Sequence, residues 1–327
     1  MKISQITKLI PQKLGKKPSL EKVVKVHGFG PYGMLIEEGE PKMAQLQEYC
    51  HELVSKIKES TKKEKISDED VVYHIDVYHP NVGKLDGLRI LHISDTHFSE
   101  SEKQREKFEL YSFLNHEEFD LVMHTGDITN SGKDNFSDFQ LSFLKDINSR
   151  LGKYFIFGGH DYWNNGQTAK LKETIARTGF VEVGNSSIHL ENEEETFNLM
   201  GLDEFQDNFK GANQAEPSDK NQFNMLMIHN LDKLTSEFSP SFDLILSGHL
   251  HAGEFNFGII NGYDYLSVVD DYLNLNRQRI GFKFLTDRTL SYISPGFHTH
   301  IQEKWGLPRM NAEKQGVSIL TLRQYNL

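Results

Sequence analysis

The stretch LRILHISDTH, residues 88–97, joins a short apolar run to two metal-binding residue types. An apolar run this short and this continuous predicts a buried strand. Asp95 and His97 follow the run with one residue between them, and side chains spaced in this way on extended chain point in the same direction. The stretch therefore predicts a strand that delivers a carboxylate and an imidazole to one place.

Four further apolar runs repeat this arrangement along the chain. They cover residues 119–124, 153–157, 222–228 and 242–247. Each is followed by Asp or His, and ligand sites of α/β proteins commonly lie at such strand ends. The residues that follow the runs are Asp127, then His160 with Asp161, then His229, and finally His249 with His251.

Three segments between and after the first of these runs have apolar residues at helical spacing. They lie near 103–117, 136–150 and 167–178. Strands that alternate with helices in this way predict an α/β protein whose buried sheets are flanked by helices. Residues 204–221 contain few apolar residues and predict a surface loop or a cap.

The predicted ligands are carboxylates and imidazoles, without a thiolate. This mixture suits borderline divalent ions, and we expect manganese first, with iron, zinc, cobalt or nickel as alternatives. A closed structural zinc site is disfavoured because it normally uses cysteine. His92 and His124 lie inside predicted strands, and we interpret them as hydrogen-bonded core residues rather than ligands.

Residues 1–28 are basic, whereas the rest of the chain is acidic. Seven lysines against Glu21 give this arm a charge of +6, which leaves −17 for the remainder of a chain whose net charge is −11. The apolar residues of the arm recur every three or four positions, as on one side of a helix. Two interpretations stay open: the arm lies on an anionic membrane surface, or it packs on the protein with its lysines solvated.

The next segment predicts an ordered extension before the α/β domain. Residues 43–58 have helical spacing, and residues 59–70, rich in Lys and Glu, predict an exposed connector. We therefore divide the chain into a basic and helical N-terminal extension, residues 1–70, and a single α/β domain, residues 71–327.

The composition excludes several classes of protein. A net charge of −11 argues against broad binding to nucleic acid, since phosphate backbones repel an acidic surface. No stretch approaches the roughly 18 to 20 apolar residues of a membrane span, and the start of the chain lacks the pattern of a secretory signal. We expect a cytoplasmic protein, and peripheral contact with the inner face of the cytoplasmic membrane through residues 1–28 stays open.

In chain order, the motifs read D-x-H, G-D, G-x-H-D, H and G-H-x-H. This order resembles the calcineurin-like metallophosphoesterase superfamily. The resemblance covers about residues 71–325 and implies a four-layer αββα sandwich, with the N-terminal helical extension outside it. It also implies hydrolysis of phosphoesters with two divalent metal ions.

The resemblance assigns a role to each motif residue. His160 would protonate the leaving oxygen or stabilise the charge on the phosphate, and Asp161 would fix the tautomer and orientation of His160. Asp127 would bridge the two ions. The first ion would be held by Asp95, His97, Asp127 and His251, and the second by Asp127, His229 and His249.

One position departs from the family motif. Where the family has Gly-Asn-His followed by Asp or Glu, residues 158–161 read Gly-Gly-His-Asp. The family asparagine gives its amide oxygen to the second ion and its NH2 group to the phosphate, and Gly159 can do neither. The second ion then keeps three protein ligands unless Asn164 or Asn165 substitutes, so we expect weaker occupancy and a slower reaction.

Three segments resemble the YaeI/YkuE-type branch of the superfamily, which includes a UDP-2,3-diacylglucosamine pyrophosphatase of lipid A synthesis. The branch implies cleavage of a pyrophosphate to UMP and 2,3-diacylglucosamine 1-phosphate at a membrane surface. We assign substrate contacts to Asn130, Asn230 and His298. The segments are LDGLRILHISDTHF at 85–98, MIHNLDKL at 227–234 and YISPGFHTH at 292–300.

Two other functions stay open. The same metals could serve a cytosolic phosphodiesterase or phosphatase that acts on soluble nucleotides or phosphoesters. A catalytically impaired fold that binds a partner is supported only by Gly159, since the other ligand candidates are present. Apolar and aromatic residues crowd residues 252–287, and core packing explains them better than an acyl-chain groove.

Replacement of Gly159 by asparagine tests the departure from the family motif. We expect Gly159→Asn to raise metal affinity at the second site about tenfold and to speed phosphodiester hydrolysis, because the variant regains a ligand oxygen. Metal content by mass spectrometry and turnover with Mn²⁺ are the measurements, and Gly159→Ala is the control without a ligand atom. Equal metal content and turnover in Gly159→Asn and the parent protein would contradict the expectation.

Overall fold

A computed structural model of the 327-residue chain shows where these segments lie. The described residues are 23–25, 35–37, 41–99, 101–130, 136–163, 168–193, 195–203, 222–234, 242–251, 255–256, 261–262, 280–285, 288–297 and 314–325.

The described residues contain helices and strands in alternation. The α-helices are α1 (Pro41–Ser60), α2 (Glu102–Leu110), α3 (Asp138–Asp146) and α4 (Thr168–Ala176). The strands are β1 (Val23–Lys25), β2 (Leu35–Glu37), β3 (Lys62–Lys65), β4 (Asp70–His79), β5 (Arg89–Ile93), β6 (Glu118–His124), β7 (Asn148–Phe155), β8 (Phe180–Glu182), β9 (Ser186–Asn192), β10 (Glu195–Leu202), β11 (Asn224–Ile228), β12 (Leu244–Ser247), β13 (Phe255–Asn256), β14 (Asn261–Gly262), β15 (Gly281–Phe284), β16 (Leu290–Ile293) and β17 (Gln315–Gln324).

Two large sheets organise the described strands. The first has the order β3-β4-β17-β5-β6-β7-β8, and β5 to β8 run parallel to one another. The second has the order β15-β16-β12-β11-β10-β9, and its four central strands are parallel. Because the carboxyl ends of parallel strands meet at one edge, the loops after β5, β6 and β7 share one edge of the first sheet. The loops after β11 and β12 share one edge of the second sheet.

The main apolar core lies between the two sheets. Ile90 and Leu121 of the first sheet and Met227 of the second are fully buried members of this cluster. Every residue of β11 and β12 is buried, since both faces of the second sheet are covered by apolar side chains. Burial on both faces explains why these strands are continuous apolar runs in the sequence.

Helices α2, α3 and α4 contribute apolar side chains to a second cluster, on the outer face of the first sheet. Phe108, Phe143 and Ile175 are buried there against alternate residues of β5 and β6. The start of α3 has a capping box, in which the Ser137 hydroxyl and the Gln140 side chain each accept a hydrogen bond from the backbone nitrogen of the other residue.

Two of the predicted helices are shorter than expected. The helix predicted over 136–150 ends at Asp146, because the backbone is extended at Ile147 and β7 begins at the next residue. The Lys153 ammonium donates to three carbonyls at this helix end, the nearest at 2.8 Å, and so satisfies groups that the ended helix leaves open. The segment predicted over 103–117 divides into α2 and a 3-10 turn, Ser112–His116.

Helix α1 shares the main core with the sheets. Leu53 and Ile57 are fully buried in the inter-sheet cluster, and the helix contacts β4 and β15. The predicted connector, residues 59–70, contains β3, an exposed edge strand that pairs antiparallel with β4. Its charged residues discourage pairing with a further strand. The domain boundary at residue 70 stays a prediction.

The α/β class with two packed sheets is confirmed. The outer face of the second sheet carries its own apolar cluster, which includes Leu226 and Ile245.

The predicted loop 204–221 lies outside the described residues, as do most of the basic arm and most of residues 252–287. In the described part of the chain, no helix is long and apolar enough to cross a membrane.

Shortening a buried residue of α1 tests whether this helix shares the main core. We expect Ile57→Ala to lower the free energy of unfolding by about 2 to 4 kcal/mol, because it removes buried methyl groups and leaves a cavity. Urea denaturation measures the change, and Lys58→Ala, an exposed position on the next residue, is the control. Equal stabilities of the two variants would show that α1 does not contribute to the core.

Candidate metal centre

The predicted ligands converge in the crevice between the ligand-bearing edges of the two sheets. Each follows the carboxyl end of a parallel strand, and all are buried except His249, which is partly exposed. Backbone hydrogen bonds join neighbouring loops within each sheet: His97 N donates to the Asp127 carbonyl at 3.0 Å, and Gly248 N donates to the His229 carbonyl at 3.0 Å. From the first sheet come Asp95, His97 and Asp127, and from the second come His229, His249 and His251.

Most of these residues have a left-handed backbone conformation. Residues other than glycine rarely adopt this backbone conformation, and it costs about 1 to 3 kcal/mol per residue where the surroundings impose it. Among the described non-glycine residues, only Asn185 and Glu193 share it away from the centre. Strain collected at one place is typical of a functional site. The residues at the centre are Asp95, His97, Asp127, His249 and His251, with φ angles from 43° to 73°.

The ligand atoms form two groups that have Asp127 in common. Within each group, every ligand atom lies within 4.8 Å of the others. The first group is Asp95, His97, Asp127 and His251, and the second is Asp127, His229 and His249.

The closest distances in both groups fit binding to a common ion. His97 Nε2 lies 3.1 Å from His251 Nε2, and His251 Nε2 lies 3.3 Å from Asp95 Oδ1. In the second group, His229 Nε2 lies 3.2 Å from Asp127 Oδ2. Two atoms that each bind one ion at about 2.1 Å are about 3.0 to 3.4 Å apart at octahedral or tetrahedral angles. The residues present therefore fit a divalent ion in each group.

The electrostatics of the centre favour a cation. Burial raises the pKa of Asp95 to about 7 against the attraction of His229, and the charge of Asp127 adds to the rise. Burial also pushes the pKa of Asp127 upward, but His229 and His160 hold that pKa well below its usual range. Two carboxylates removed from water at one place are stabilised by positive charge between them.

Gly248 allows the ligand loop of the second sheet to approach the first sheet. A Cβ atom at this position would overlap the Ser94 hydroxyl and the Asp95 carboxylate. The backbone nitrogen of His249, one residue later, donates to both oxygens of Asp95 at 3.1 Å. Glycine in the Gly-His-x-His motif thus has a steric cause.

His160 lies beside the centre, on the 3-10 turn Gly159–Tyr162. Its backbone nitrogen donates to Asp127 Oδ1 at 2.9 Å, and its ring Nε2 lies 4.0 Å from Asp127 Oδ2. Ring Nδ1 lies 3.2 Å from the carbonyl oxygen of Asn130. Because a carbonyl only accepts, Nδ1 carries a hydrogen atom, and Nε2 faces the centre.

The role expected of Asp161 in setting the tautomer of His160 stays a prediction. In the structure the buried Asp161 carboxylate accepts hydrogen bonds from Gly158 N at 2.9 Å and Ile128 N at 3.2 Å. It also accepts from the nitrogen and the hydroxyl of Thr129 at 2.8 and 3.2 Å. Asp161 therefore ties the His160 turn to the loop after β6, and a backbone carbonyl orients the ring.

Two of the three predicted substrate contacts lie in the described part of the chain. Asn130 is half-buried beside the centre, and its carbonyl contacts the ring of the candidate proton donor. Asn230 accepts a hydrogen bond that caps the short turn after β11. His298, and the possible substitute ligands Asn164 and Asn165, lie outside the described residues. Contact of these residues with substrate stays a prediction.

The interpretation of His92 and His124 as core residues is confirmed. His92 Nε2 lies 2.9 Å from the Thr125 hydroxyl, and His124 Nε2 lies 3.0 Å from the Thr96 hydroxyl. Burial lowers the pKa of each histidine to about 3, so both are neutral at physiological pH.

Three residues near His160 are missed by the sequence interpretation. Trp163 is 55% exposed, and its ring lies over the His160 ring with 3.9 Å between centroids. Tyr162 donates a hydrogen bond to Asp203, a buried carboxylate that follows β10. The signal for Asp203 is the same as for the ligands, an acid directly after an apolar segment, but polar residues interrupt that segment.

Comparison with known proteins supports the relationship that the motifs suggest. The profile of the calcineurin-like phosphoesterase family matches residues 88–253. Two "uncharacterized metallophosphoesterase" proteins of Bacillus subtilis (strain 168) are similar: YkoQ is 26% identical over 52% of this chain, and YkuE is 27% identical over 52%. The matches span 63% and 60% of those relatives.

Similarity to solved structures is loose. A dimetal phosphatase from Danio rerio superposes with a TM-score of 0.39 and 9% identity, over 64% of this chain and 88% of that chain. An NAD nucleotidase from Haemophilus influenzae superposes with a TM-score of 0.37 and 18% identity, over 52% of this chain and 40% of that chain.

The family profile covers more than half of the chain and includes all six ligand candidates of the two groups. The chain belongs to the calcineurin-like phosphoesterase family.

Proposed function

We propose that this protein is a phosphoester hydrolase that uses two divalent ions held by the two ligand groups. The observation that carries the proposal is the presence of two groups of ligand atoms, buried except for His249, with Asp127 in common. Residues that share a carboxylate in this way can hold two ions side by side, which is the arrangement for in-line displacement at phosphorus.

The ligand atoms are carboxylate oxygens and imidazole nitrogens, so manganese is the first candidate, and iron, zinc, cobalt and nickel are alternatives. When bound, the ions would lower the pKa of a water molecule and neutralise charge on the phosphate oxygens. The first group has four ligand residues and the second has three, so we propose firm binding at the first site and weaker occupancy at the second.

His160 is the proposed proton donor to the leaving oxygen. Its Nδ1 hydrogen is engaged by the Asn130 carbonyl, which leaves Nε2 to hold the proton that is transferred. Its backbone nitrogen donates to Asp127, so the histidine and the shared ligand are held in a fixed relationship. The ring Nε2 lies 4.0 Å from Asp127 Oδ2, so the proposed proton donor lies beside the residues that would hold the ions.

For the substrate we propose the pyrophosphate of UDP-2,3-diacylglucosamine, with UMP and 2,3-diacylglucosamine 1-phosphate as products. The segments at 85–98, 227–234 and 292–300 support this proposal by their similarity to the YaeI/YkuE-type branch. The charge of the basic arm supports it too, because seven lysines against one acid suit capture of an anionic lipid at a membrane surface. Nucleic acid is not a proposed partner.

Removing single ligands tests the two-ion centre. We expect His249→Ala to bind about one ion and Asp127→Ala to lose both, because Asp127 belongs to both groups. Since the ions supply several kcal/mol of charge stabilisation, hydrolysis of bis-p-nitrophenyl phosphate should fall roughly 100-fold or more in each variant. Metal content by mass spectrometry and initial rates are the measurements.

His116→Ala, an exposed histidine outside the centre, is the matched control and should keep both ions and the parental rate. If Asp127→Ala retained its full metal content, the shared-ligand arrangement would be wrong. If the parent protein bound two ions but hydrolysed no phosphoester with any of the five metals, the chain would be a binding protein rather than a hydrolase.

Removing positive charge from the basic arm tests the proposal that the substrate is a lipid at a membrane surface. We expect replacement of Lys8, Lys13, Lys16 and Lys17 by glutamine to lower binding to anionic vesicles and turnover of UDP-2,3-diacylglucosamine at least about tenfold, since each surface lysine contributes about 1 kcal/mol at an anionic membrane. Turnover of bis-p-nitrophenyl phosphate should not change, because that substrate is soluble.

A matched variant replaces four exposed lysines elsewhere by glutamine and removes the same charge. These are Lys58, Lys62, Lys84 and Lys170. Equal losses in both variants would exclude a specific role for the arm. Hydrolysis of the soluble diester alone by the parent protein would favour a phosphodiesterase of soluble substrates.

A further inference from the structure

Asp203 reaches from the second sheet to the turn that carries His160. It follows β10, and its carboxylate is largely buried. Oδ1 accepts a hydrogen bond from Phe157 N at 2.9 Å, and Oδ2 accepts one from the Tyr162 hydroxyl at 2.9 Å. Phe157 and Tyr162 stand on either side of His160 in the chain. One carboxylate therefore holds both ends of the segment that presents the histidine.

The surroundings of Asp203 are built to accept its carboxylate. The carboxylate lies against Gly184, where a Cβ atom would overlap it, so a larger residue would displace the group. Asp203 N donates to the Asn185 side chain at 3.4 Å, and Gly184 pairs with Gly201 in a short bridge between the sheets. This contact is therefore part of the junction between the sheets.

At neutral pH Asp203 is ionised, so it accepts these two hydrogen bonds as a carboxylate. Burial raises the pKa of Asp203 to about 6, and the donors Phe157 and Tyr162 oppose that rise. Hydrogen bonds to an ionised acceptor are stronger than those between neutral groups. The Tyr162 ring also packs edge to face with the Phe157 ring, with 5.7 Å between centroids. This packing fixes the ring and thereby the direction of its hydroxyl.

The His160 turn is thus held from two sides. Asp161 fixes it to the loop after β6 within the first sheet, and Asp203 fixes it to the second sheet. Between these anchors the His160 ring lies between His97, at 4.8 Å between centroids, and Trp163, at 3.9 Å. Movement of the turn would move the ring relative to both ion sites.

We propose that Asp203 and Tyr162 are positioning residues for His160: they fix the proton donor of the first sheet to the second sheet, which supplies three of the metal ligands. The catalytic part of this inference rests on the proposed hydrolase function, whereas the placement of His160 does not. Neither residue touches a reacting atom, and both act through the turn. Loss of the Tyr162 hydroxyl should therefore resemble a partial loss of His160.

The test uses Tyr162→Phe, which keeps the ring and removes only the hydroxyl. Its substrates are phosphodiesters that carry either a p-nitrophenyl or a phenyl leaving group. We expect kcat for the phenyl ester to fall about tenfold, because a poor leaving group needs a well-placed proton donor, and kcat for the p-nitrophenyl ester to change less than about twofold. Metal content should be unchanged, and loss of one hydrogen bond to a buried carboxylate should lower the melting temperature by only about a few degrees.

A double-mutant cycle separates positioning from a general structural effect. In a His160→Ala background the added Tyr162→Phe substitution should cost nothing further, since the residue through which it acts is gone. Tyr154→Phe is the matched control, because it removes another buried tyrosine hydroxyl, which donates to the Leu151 carbonyl. It should leave both esters unaffected. Equal losses on both esters, or a loss that persists without His160, would overturn the proposal.

A readout without substrate or metal keeps the proposal separate from the proposed function. In a Trp305→Phe background Trp163 is the one remaining tryptophan, and its ring lies over the His160 ring, so its emission depends on the placement of His160. We expect Tyr162→Phe to move the emission intensity at least about half of the way from the parent value to the value of His160→Ala. Asp203→Asn should act in the same direction. Emission equal to that of the parent in Tyr162→Phe would overturn the proposal, even if no ester were hydrolysed.

Discussion

The buried carboxylate of Asp127 is the group on which the rest of the centre depends. It belongs to both ligand groups, His229 of the second sheet lies 3.2 Å from it, and the backbone of His160 donates to it at 2.9 Å. A carboxylate removed from water is costly unless hydrogen bonds or positive charge compensate it. These compensating groups come from both sheets, so neither sheet can build the centre alone.

The topology explains how two sheets meet at one carboxylate. Parallel strands place successive loops at one edge of each sheet, and the two ligand-bearing edges face the same crevice. Strand β17 lies between β4 and β5, so the end of the described chain completes the middle of the first sheet. The inter-sheet core, α1 and the Asp203 contact then hold one sheet against the other. A small relative movement of the sheets would separate the candidate ligands, so the geometry of the centre depends on dense packing between the sheets.

The ligand-bearing strands could be predicted because burial on both faces makes them continuous apolar runs. Strand β4 gave no such signal, since its polar residues are satisfied by partners far along the chain: Asp76 pairs with Arg323 at 2.8 Å, and His79 contacts the Arg288 carbonyl at 2.7 Å. The role expected of Asp161 came from the resemblance to the family. Adjacent side chains on a helical turn do not face each other, so its carboxylate is directed to the neighbouring loop instead.

The sequence by itself determined the α/β class, the identity and order of the candidate ligand residues, and the absence of the family asparagine at Gly159. It could do so because burial, strand formation and ligand chemistry depend on residue types at neighbouring positions in the chain. Only the tertiary structure decided that Asp127 lies within reach of both groups of candidate ligands, that a backbone carbonyl orients His160, and that Asp203 holds its turn from the other sheet. These contacts join residues separated by tens of positions, and their distances are set by strand pairing and by the packing of one sheet on the other.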